Sequence, residues 1–331
     1  MHITGREFAE SPTLYPLRLE DDGARMYLAR FSEGDYRAAS FLDERALRQE
    51  MSVGWAPTDL LMRAAQGIRP KPLHFIFHTG HAGSTLLSRL LDQRLGVLGL
   101  REPLPLRSVA DADGRLDGLI PLLLRIWARG YAETEAVIVK ATSIAGRLAP
   151  QLLSAAPAAS AVYLYLKAEP TLATLIAGVE SAKDQAGFVA ERMRRVGVLL
   201  QDDGIPAPTS PGEFAALAFL AENLSRAEAG RHGEGRLLML DFETVLADLP
   251  RALEQVFAHF GLAIPPSRAA AIATGSVAAQ YAKVPDQAYS PALRAAVLDE
   301  ARQKAGGEIA RGLHWLDAIG ARHTAVATLL T

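Results

Sequence analysis

The chain has 331 residues, of which 49% are hydrophobic and 22% are charged, as is usual for a globular protein. Its formal net charge of −2 lacks the basic excess of nucleic-acid-binding proteins, so we expect no nucleic-acid partner. The chain contains no cysteine, which excludes disulfides, thiolate nucleophiles and cysteine-ligated zinc.

Metal and membrane sites also lack a sequence signal. The eight histidines form no HExxH-like pair, so we expect no bound metal. The start, MHITGREFAESPTLYP, has no apolar signal core, and the longest apolar region, near Leu152 to Leu166, contains Pro157 and is too short to span a bilayer. We therefore expect a cytoplasmic protein with no membrane partner.

The first 72 residues are predicted to form an N-terminal extension packed on the core. RMYLARF alternates between apolar and other residues and indicates a strand. Pro70 and Pro72 mark the boundary with the region that follows.

Residues 73–262 read as an α/β core. The apolar run LHFIF is typical of a strand buried on both faces, and STLLSRLLDQRL repeats leucine from Leu86 to Leu95 at helical spacing. Three further predicted strands, each followed by a helical pattern, are AVIVKA, SAVYLYLK and RLLMLDF. Strands that alternate with helices predict a mostly parallel sheet flanked by helices. Residues 263–331 are predicted to be a mainly helical C-terminal region of the same domain.

The junction between LHFIF and the leucine-rich helix is the strongest functional signal. It reads HTGHAGST, from His78 to Thr85. Amides in a glycine-bearing turn at a helix start favour an anion, and Ser84 and Thr85 add hydroxyl donors. The pattern is not the Walker A motif, because Ser84 stands where that motif requires lysine. A glycine turn with a serine cap and no ligand is the structural alternative.

In sequence order, five segments resemble the sulfotransferase family, which uses a three-layer P-loop NTPase-like fold. HAGSTLL resembles its phosphosulfate-binding loop, RSGTTLL. The other four segments are LREPLPLR, VIVKATS, AVYLYLKAEP and LLMLDFETVLADLPRALEQVFAHFGL. The resemblance implies transfer of a sulfuryl group from 3′-phosphoadenosine-5′-phosphosulfate (PAPS) to a hydroxyl or amine of a small molecule, without a metal.

The resemblance also assigns candidate residues. The loop positions that would bind the donor are Gly80, His81, Ala82, Gly83, Ser84 and Thr85. His81 occupies the family's Arg/Lys position, where it would stabilise charge on the leaving phosphate, or it is a loop histidine with no chemistry. Glu102 is the candidate general base, unless it is a surface glutamate. His78 and Asp92 are weaker candidates for that role.

Two lysines and a threonine complete the predicted site. Lys140 ends a strand at the carboxyl edge of the sheet, where it can face the phosphosulfate or snorkel into solvent. Lys167 matches the family's arginine at the 3′-phosphate. Ile176 occupies the position of the family's serine, so Thr174 is the substitute, or else an ordinary helix threonine.

Most of the other residues that we considered are predicted to have structural roles. Asp241 and Glu243 are predicted to make turn and cap contacts, and Trp315 to lie in the core. Lys283 is predicted, on position alone, to reach a phosphate.

Two alternatives to the enzyme stay open. One is a catalytically inactive member of the fold that binds a nucleotide or a partner, since the loop lacks the usual cation. The other is a kinase-like P-loop phosphotransferase, which the missing Walker lysine disfavours. The acceptor and the oligomeric state cannot be inferred from the sequence.

Overall fold

A computed structural model describes residues 4–178, 185–233, 235–282 and 287–330. The strands of the described chain are β1 Leu14–Leu19, β2 Arg25–Arg30, β3 Val53–Pro57, β4 Leu73–His78, β5 Val97–Arg101, β6 Ala136–Lys140, β7 Ala161–Tyr165 and β8 Leu237–Asp241. The α-helices, numbered in chain order, are α1 Gly5–Glu10, α2 Glu33–Ala38, α3 Thr58–Ala65, α4 Ser84–Leu91, α5 Leu104–Asp111, α6 Ile120–Trp127, α7 Ala149–Ala155, α8 Ala168–Ala177, α9 Val189–Leu200, α10 Pro211–His232, α11 Phe242–Ala247, α12 Leu249–His259, α13 Pro266–Ala273, α14 Pro291–Gly320 and α15 Thr324–Leu330. Within these described ranges, three 3-10 helices cover Glu44–Ala46, Asp117–Leu119 and Ser143–Leu148.

The central sheet has the strand order β5-β6-β4-β7-β8, and every pairing within it is parallel. Alternate residues of β4 enter different cores: Phe75 and Phe77 belong to one hydrophobic cluster, and Ile76 belongs to the other. Helices therefore cover both faces, which gives the three-layer α/β architecture that the sequence predicts.

The four predicted strands of the core are confirmed as β4, β6, β7 and β8. The sequence analysis missed β5, because the leucine pattern of the first helix was extended as far as Leu95. Helix α4 instead ends at Leu91, and Leu95 is 84% exposed. The chain then turns at Gly96 and forms β5 at the edge of the sheet.

The N-terminal residues form a separate antiparallel sheet in the order β1-β2-β3. Leu14 and Leu28 of this sheet share a hydrophobic cluster with Phe75 and Val137 of the central sheet. The predicted strand RMYLARF is confirmed as β2.

The C-terminal helices form a third cluster with α8, α9 and α10. Trp315, 6% exposed, is a core residue as predicted. Helix α14 carries one residue with non-helical backbone angles, Ala305, and its first half reaches the carboxyl edge of the central sheet. None of the helices in the described ranges has both the length and the apolar character needed to cross a bilayer.

Candidate functional site

The loop between β4 and α4 has a backbone that requires glycine. Gly80, His81 and Gly83 have φ values of 80°, 50° and 70°, in the left-handed region. A Cβ on Gly83 would lie 1.9 Å from the ring of Phe242. Real Cβ atoms do not approach a ring so closely, so the second glycine of the motif is fixed by both its backbone and its neighbour.

Several polar groups at the start of α4 make no hydrogen bond to a described residue. The backbone N–H groups of Gly83, Ser84 and Thr85 have no acceptor in the described part of the chain, and the first bond of the helix runs from Leu87 N–H to the Gly83 carbonyl. The Ser84 and Thr85 side chains are 4% exposed, line a pocket, and make no hydrogen bond to another described residue. Such an end is suited to an anion.

The other predicted loop residues lie differently. Gly80 donates its N–H to Nδ1 of His78 at 3.1 Å, so this amide is already used. Ala82 is fully buried in the hydrophobic cluster under the loop. His81 is exposed and lies at the pocket wall. The structure thus brings Gly83, Ser84, Thr85 and His81 to the pocket, whereas Gly80 and Ala82 shape the turn.

Glu102 and Lys140 meet at the ends of β5 and β6. Lys140 Nζ donates a hydrogen bond to Glu102 Oε1, and Glu102 N–H donates to the Lys140 carbonyl at 2.7 Å. The side chains are 1% exposed for Lys140 and 20% exposed for Glu102. A buried ammonium needs such a partner, because an uncompensated charge in this position is costly. Two of the three predicted catalytic residues, Glu102 and Lys140, therefore line the pocket as one ion pair.

The buried side chain of Arg101 fixes the backbone just before Glu102. Glu102 itself has a φ of 52°. Arg101 is 0% exposed and donates to the carbonyls of Tyr36 and Ala39 at 2.6 and 2.7 Å. It also pairs with Asp92 at 3.3 Å. Asp92, a weaker candidate base in the sequence, is thereby placed in a structural cluster.

The structure does not place Lys167 in the pocket. Lys167 is the residue that precedes α8, beyond the end of β7, and its side chain is exposed. Thr174 does line the pocket, but its hydroxyl donates to the Pro170 carbonyl at 2.7 Å. Its proton is therefore committed to the helix, and the hydroxyl oxygen remains only as an acceptor.

Helix α14 and the preceding segment bring residues that the sequence analysis missed. The Arg294 guanidinium lies 5.4 Å from the centre of the Phe242 ring, and its Nη2 lies 2.7 Å from Glu243 Oε1. Neither of these two atoms has hydrogen-bond geometry toward a described partner. The buried hydroxyl of Tyr289 also has no partner among the described residues, and burial raises its pKa.

The sequence analysis did not identify this wall, because SPALRAAVL indicates only a capped helix start. Asp241 accepts the Glu243 N–H at 3.0 Å and begins α11, as predicted. Glu243 itself pairs with Arg294 instead of capping. Lys283 lies outside the described residues.

These elements enclose a pocket of about 410 Å³ at the carboxyl edge of the parallel sheet. One wall is formed by the loop and the Glu102–Lys140 pair. A second part of the lining, called the facing wall, is formed by residues of α8 and of the first half of α14, including Leu293, Val297 and Leu298. The carboxyl ends of strands are where open α/β sheets bind ligands. Within the described ranges, no group of three or more His, Asp or Glu side chains is arranged to hold a metal ion.

Neither a family model nor a curated protein matches the chain. Solved structures similar to it include a sulfotransferase domain from the Synechococcus PCC 7002 olefin synthase, at 16% identity and a TM-score of 0.38, covering 71% of this chain and 88% of that one. A mouse sulfotransferase complexed with PAP is 12% identical, with a TM-score of 0.41, covering 83% of this chain and 95% of that one. A sulfotransferase from Alicyclobacillus acidocaldarius is 15% identical, with a TM-score of 0.35, covering 76% of this chain and 96% of that one.

These matches name the same family that the sequence motifs resemble. With TM-scores of 0.35 to 0.41, they carry no argument about function. The functional argument rests on the site.

Proposed function

We propose that this chain is a sulfotransferase that binds PAPS at the start of α4 and transfers the sulfuryl group to a hydroxyl or amine of a small molecule. The observation that carries the proposal is the set of unused donors, the N–H groups of Gly83, Ser84 and Thr85 and two buried hydroxyls, beside the Glu102–Lys140 pair. A phosphosulfate offers the anionic oxygens that such donors select.

Binding would be divided between the two walls of the pocket. The amides of α4 hold the phosphosulfate, assisted by the partial positive charge at the helix start. Arg294 of α14 lines the same pocket and would take a second anionic group of the nucleotide. This assignment replaces Lys167, which does not line the pocket. The Phe242 ring and Tyr289 offer aromatic surface beside Arg294 for the base.

The proposed sulfuryl transfer would use the Glu102–Lys140 ion pair. The acceptor oxygen attacks sulfur while Glu102 takes the acceptor's proton, the new O–S bond forms, and the bond from sulfur to the phosphate oxygen breaks. 3′-Phosphoadenosine-5′-phosphate (PAP) then leaves with that oxygen's charge. Lys140 orients the Glu102 carboxylate, and His81 can donate a hydrogen bond to the leaving oxygen even when its ring is neutral.

Calorimetry with PAP tests the nucleotide site, and mass spectrometry of a panel of alcohols, phenols and amines incubated with PAPS tests the transfer. We expect PAP to bind at micromolar concentration and Glu102→Gln to lower kcat by about 10²- to 10⁴-fold while PAP still binds. Failure to bind millimolar PAP would sink the proposal. Binding without turnover of any acceptor would favour the inactive alternative.

Glu135→Gln is the matched control for Glu102→Gln. Glu135 lies just before β6 at the opposite edge of the sheet, is 56% exposed, and pairs with Arg94. The same change of one oxygen to an amide there should leave both PAP binding and kcat unchanged. A matching loss in both variants would mean that Glu102 has no special role.

A further inference from the structure

His78, the last residue of β4, makes two hydrogen bonds with opposite roles. Its Nε2 lies 3.0 Å from the Ala141 carbonyl at the end of β6. Its Nδ1 lies 3.1 Å from the Gly80 nitrogen in the loop. The side chain is 6% exposed and reaches the pocket. His78 therefore connects the sheet to the first turn of the anion-binding loop.

The partners determine which ring nitrogen carries the proton. A carbonyl oxygen only accepts, so Nε2 must be protonated. A backbone N–H only donates, so Nδ1 must be unprotonated. Both bonds exist together only in the neutral ring with its proton on Nε2.

The loop backbone depends on this arrangement. Gly80 has a φ of 80° and His81 a φ of 50°, so the chain reverses immediately after His78. The bond from Gly80 N–H to Nδ1 closes that reversal, while the bond to Ala141 fixes the ring. With Gly80 N–H held inward, the open donors begin further along, at the start of α4.

We propose that neutral His78 is a positioning residue, which sets the anion-binding loop by accepting the Gly80 N–H on Nδ1 and donating its Nε2 proton to Ala141. The ligand in this inference is the phosphosulfate of the proposed function. His78 acts through the loop backbone and is assigned no contact with the reacting atoms.

The arrangement implies a dependence on pH. Protonation of the His78 ring would make Nδ1 a donor and set it against the Gly80 N–H. The titratable groups that line the pocket with His78 are His81, Glu102, Lys140, Tyr281, Tyr289 and Arg294. Opposite His78, β7 presents Leu164, and the 3-10 helix packed on β4 carries Arg147, which pairs with Glu191.

Two substitutions separate the two bonds. His78→Asn keeps an acceptor near the place of Nδ1, and His78→Gln keeps a donor near the place of Nε2. We expect His78→Gln to bind PAP about 3- to 10-fold more weakly than His78→Asn, the equivalent of one hydrogen bond. The parent should lose affinity on the acid side, and this part of the pH dependence should vanish in His78→Asn.

His74 provides the matched control, because its Nδ1 also accepts a backbone N–H, from Ser160 at 3.2 Å, at the other end of β4. His74→Asn and His74→Gln should bind PAP equally. Equal binding by the two His78 variants, or stronger binding by His78→Gln, would overturn the inference.

A measurement without nucleotide keeps this inference distinct from the proposed function. Nitrogen-15 NMR of the parent should show the His78 proton on Nε2, and Gly80 N–H should exchange slowly with solvent. A proton on Nδ1 or fast Gly80 exchange contradicts the inference even if PAP binds. If PAP does not bind, the proposed function fails, and this spectrum still decides the role of His78.

Discussion

The two edges of the central sheet differ in how far their buried polar groups are hydrogen-bonded within the protein. At the amino edge, His74 stacks on Phe260 with ring centres 4.8 Å apart and accepts the Ser160 N–H. Burial lowers the His74 pKa to about 4, so the ring stays neutral. At the carboxyl edge, His78 accepts a backbone N–H in the same way, but the groups around it are only partly satisfied.

The difference indicates which edge of the sheet has polar groups available to bind a ligand. Buried polar groups in proteins almost always have partners, so a cluster without them marks a site that receives something else. At the amino edge the backbone satisfies Nδ1 of the His74 ring. At the carboxyl edge, the donors at the start of α4, Tyr289 and Arg294 face a cavity. Perturbing the carboxyl edge should therefore change binding, whereas perturbing the amino edge should change only stability.

The largest effect is expected for Gly83→Ala. The new Cβ would meet the Phe242 ring at 1.9 Å and would hold a φ of 70° that alanine disfavours. We expect PAP binding to be lost and the free energy of unfolding to fall by about 2 to 5 kcal/mol. Calorimetry and chemical denaturation measure the two effects.

Gly261→Ala is the control for that substitution. Gly261 has a φ of 69°, but no atom within 4 Å would meet its Cβ. It should lose about 1 to 2 kcal/mol of stability from the backbone alone and keep its affinity for PAP. Unchanged PAP affinity in Gly83→Ala would contradict the assignment of the loop.

Lys140→Met is expected to be next in size. It leaves Glu102 without its partner at a largely buried position and should lower the free energy of unfolding by about 2 to 4 kcal/mol. Adding Glu102→Gln should restore part of this loss, with a coupling of about 0.5 to 3 kcal/mol in a double-mutant cycle. Additive losses would show that the two side chains do not act as a pair.

Arg294→Gln tests the facing wall and should weaken PAP binding by about 10- to 100-fold, the value of a charge-assisted contact. Stability should change little, because the partner Glu243 is 43% exposed and water can solvate its carboxylate once the arginine is removed. Arg302→Gln, on the same helix and paired with Glu169 at 2.8 Å, is the control that should leave PAP binding intact. If both variants bind like the parent, the second anionic group does not lie on α14.

The smallest effect is expected for His74→Asn, which addresses stability at acid pH. In the unfolded chain His74 titrates near 6.5, and in the folded protein near 4, so the unfolded state binds more protons between these values. The free energy of unfolding should thus fall as the pH drops through this interval, by about 1 to 2 kcal/mol after screening. His74→Asn should flatten this part of the curve without altering PAP binding. An unchanged curve would place the acid sensitivity elsewhere.

Much of this fold could be predicted from patterns of neighbouring residues in the sequence. The runs that became β4, β6, β7 and β8 are apolar on both faces, which only a covered parallel sheet requires. The loop was recognisable because its glycines, hydroxyls and following helix are contiguous. Strand β5 was missed because the helical spacing of leucines continues beyond the end of α4 as far as Leu95.

The sequence by itself determined the α/β core and the position of the glycine-bearing loop that we propose to bind the anion, since both depend on neighbouring residues and on local backbone geometry. Tertiary structure alone decided which distant side chains reach that loop. It left Lys167 outside the pocket, joined Lys140 to Glu102 and brought Arg294 to the pocket from more than two hundred residues further along the chain. The physical reason is that a side chain's partners are set by how strands align and helices pack, and those contacts have no period in the sequence.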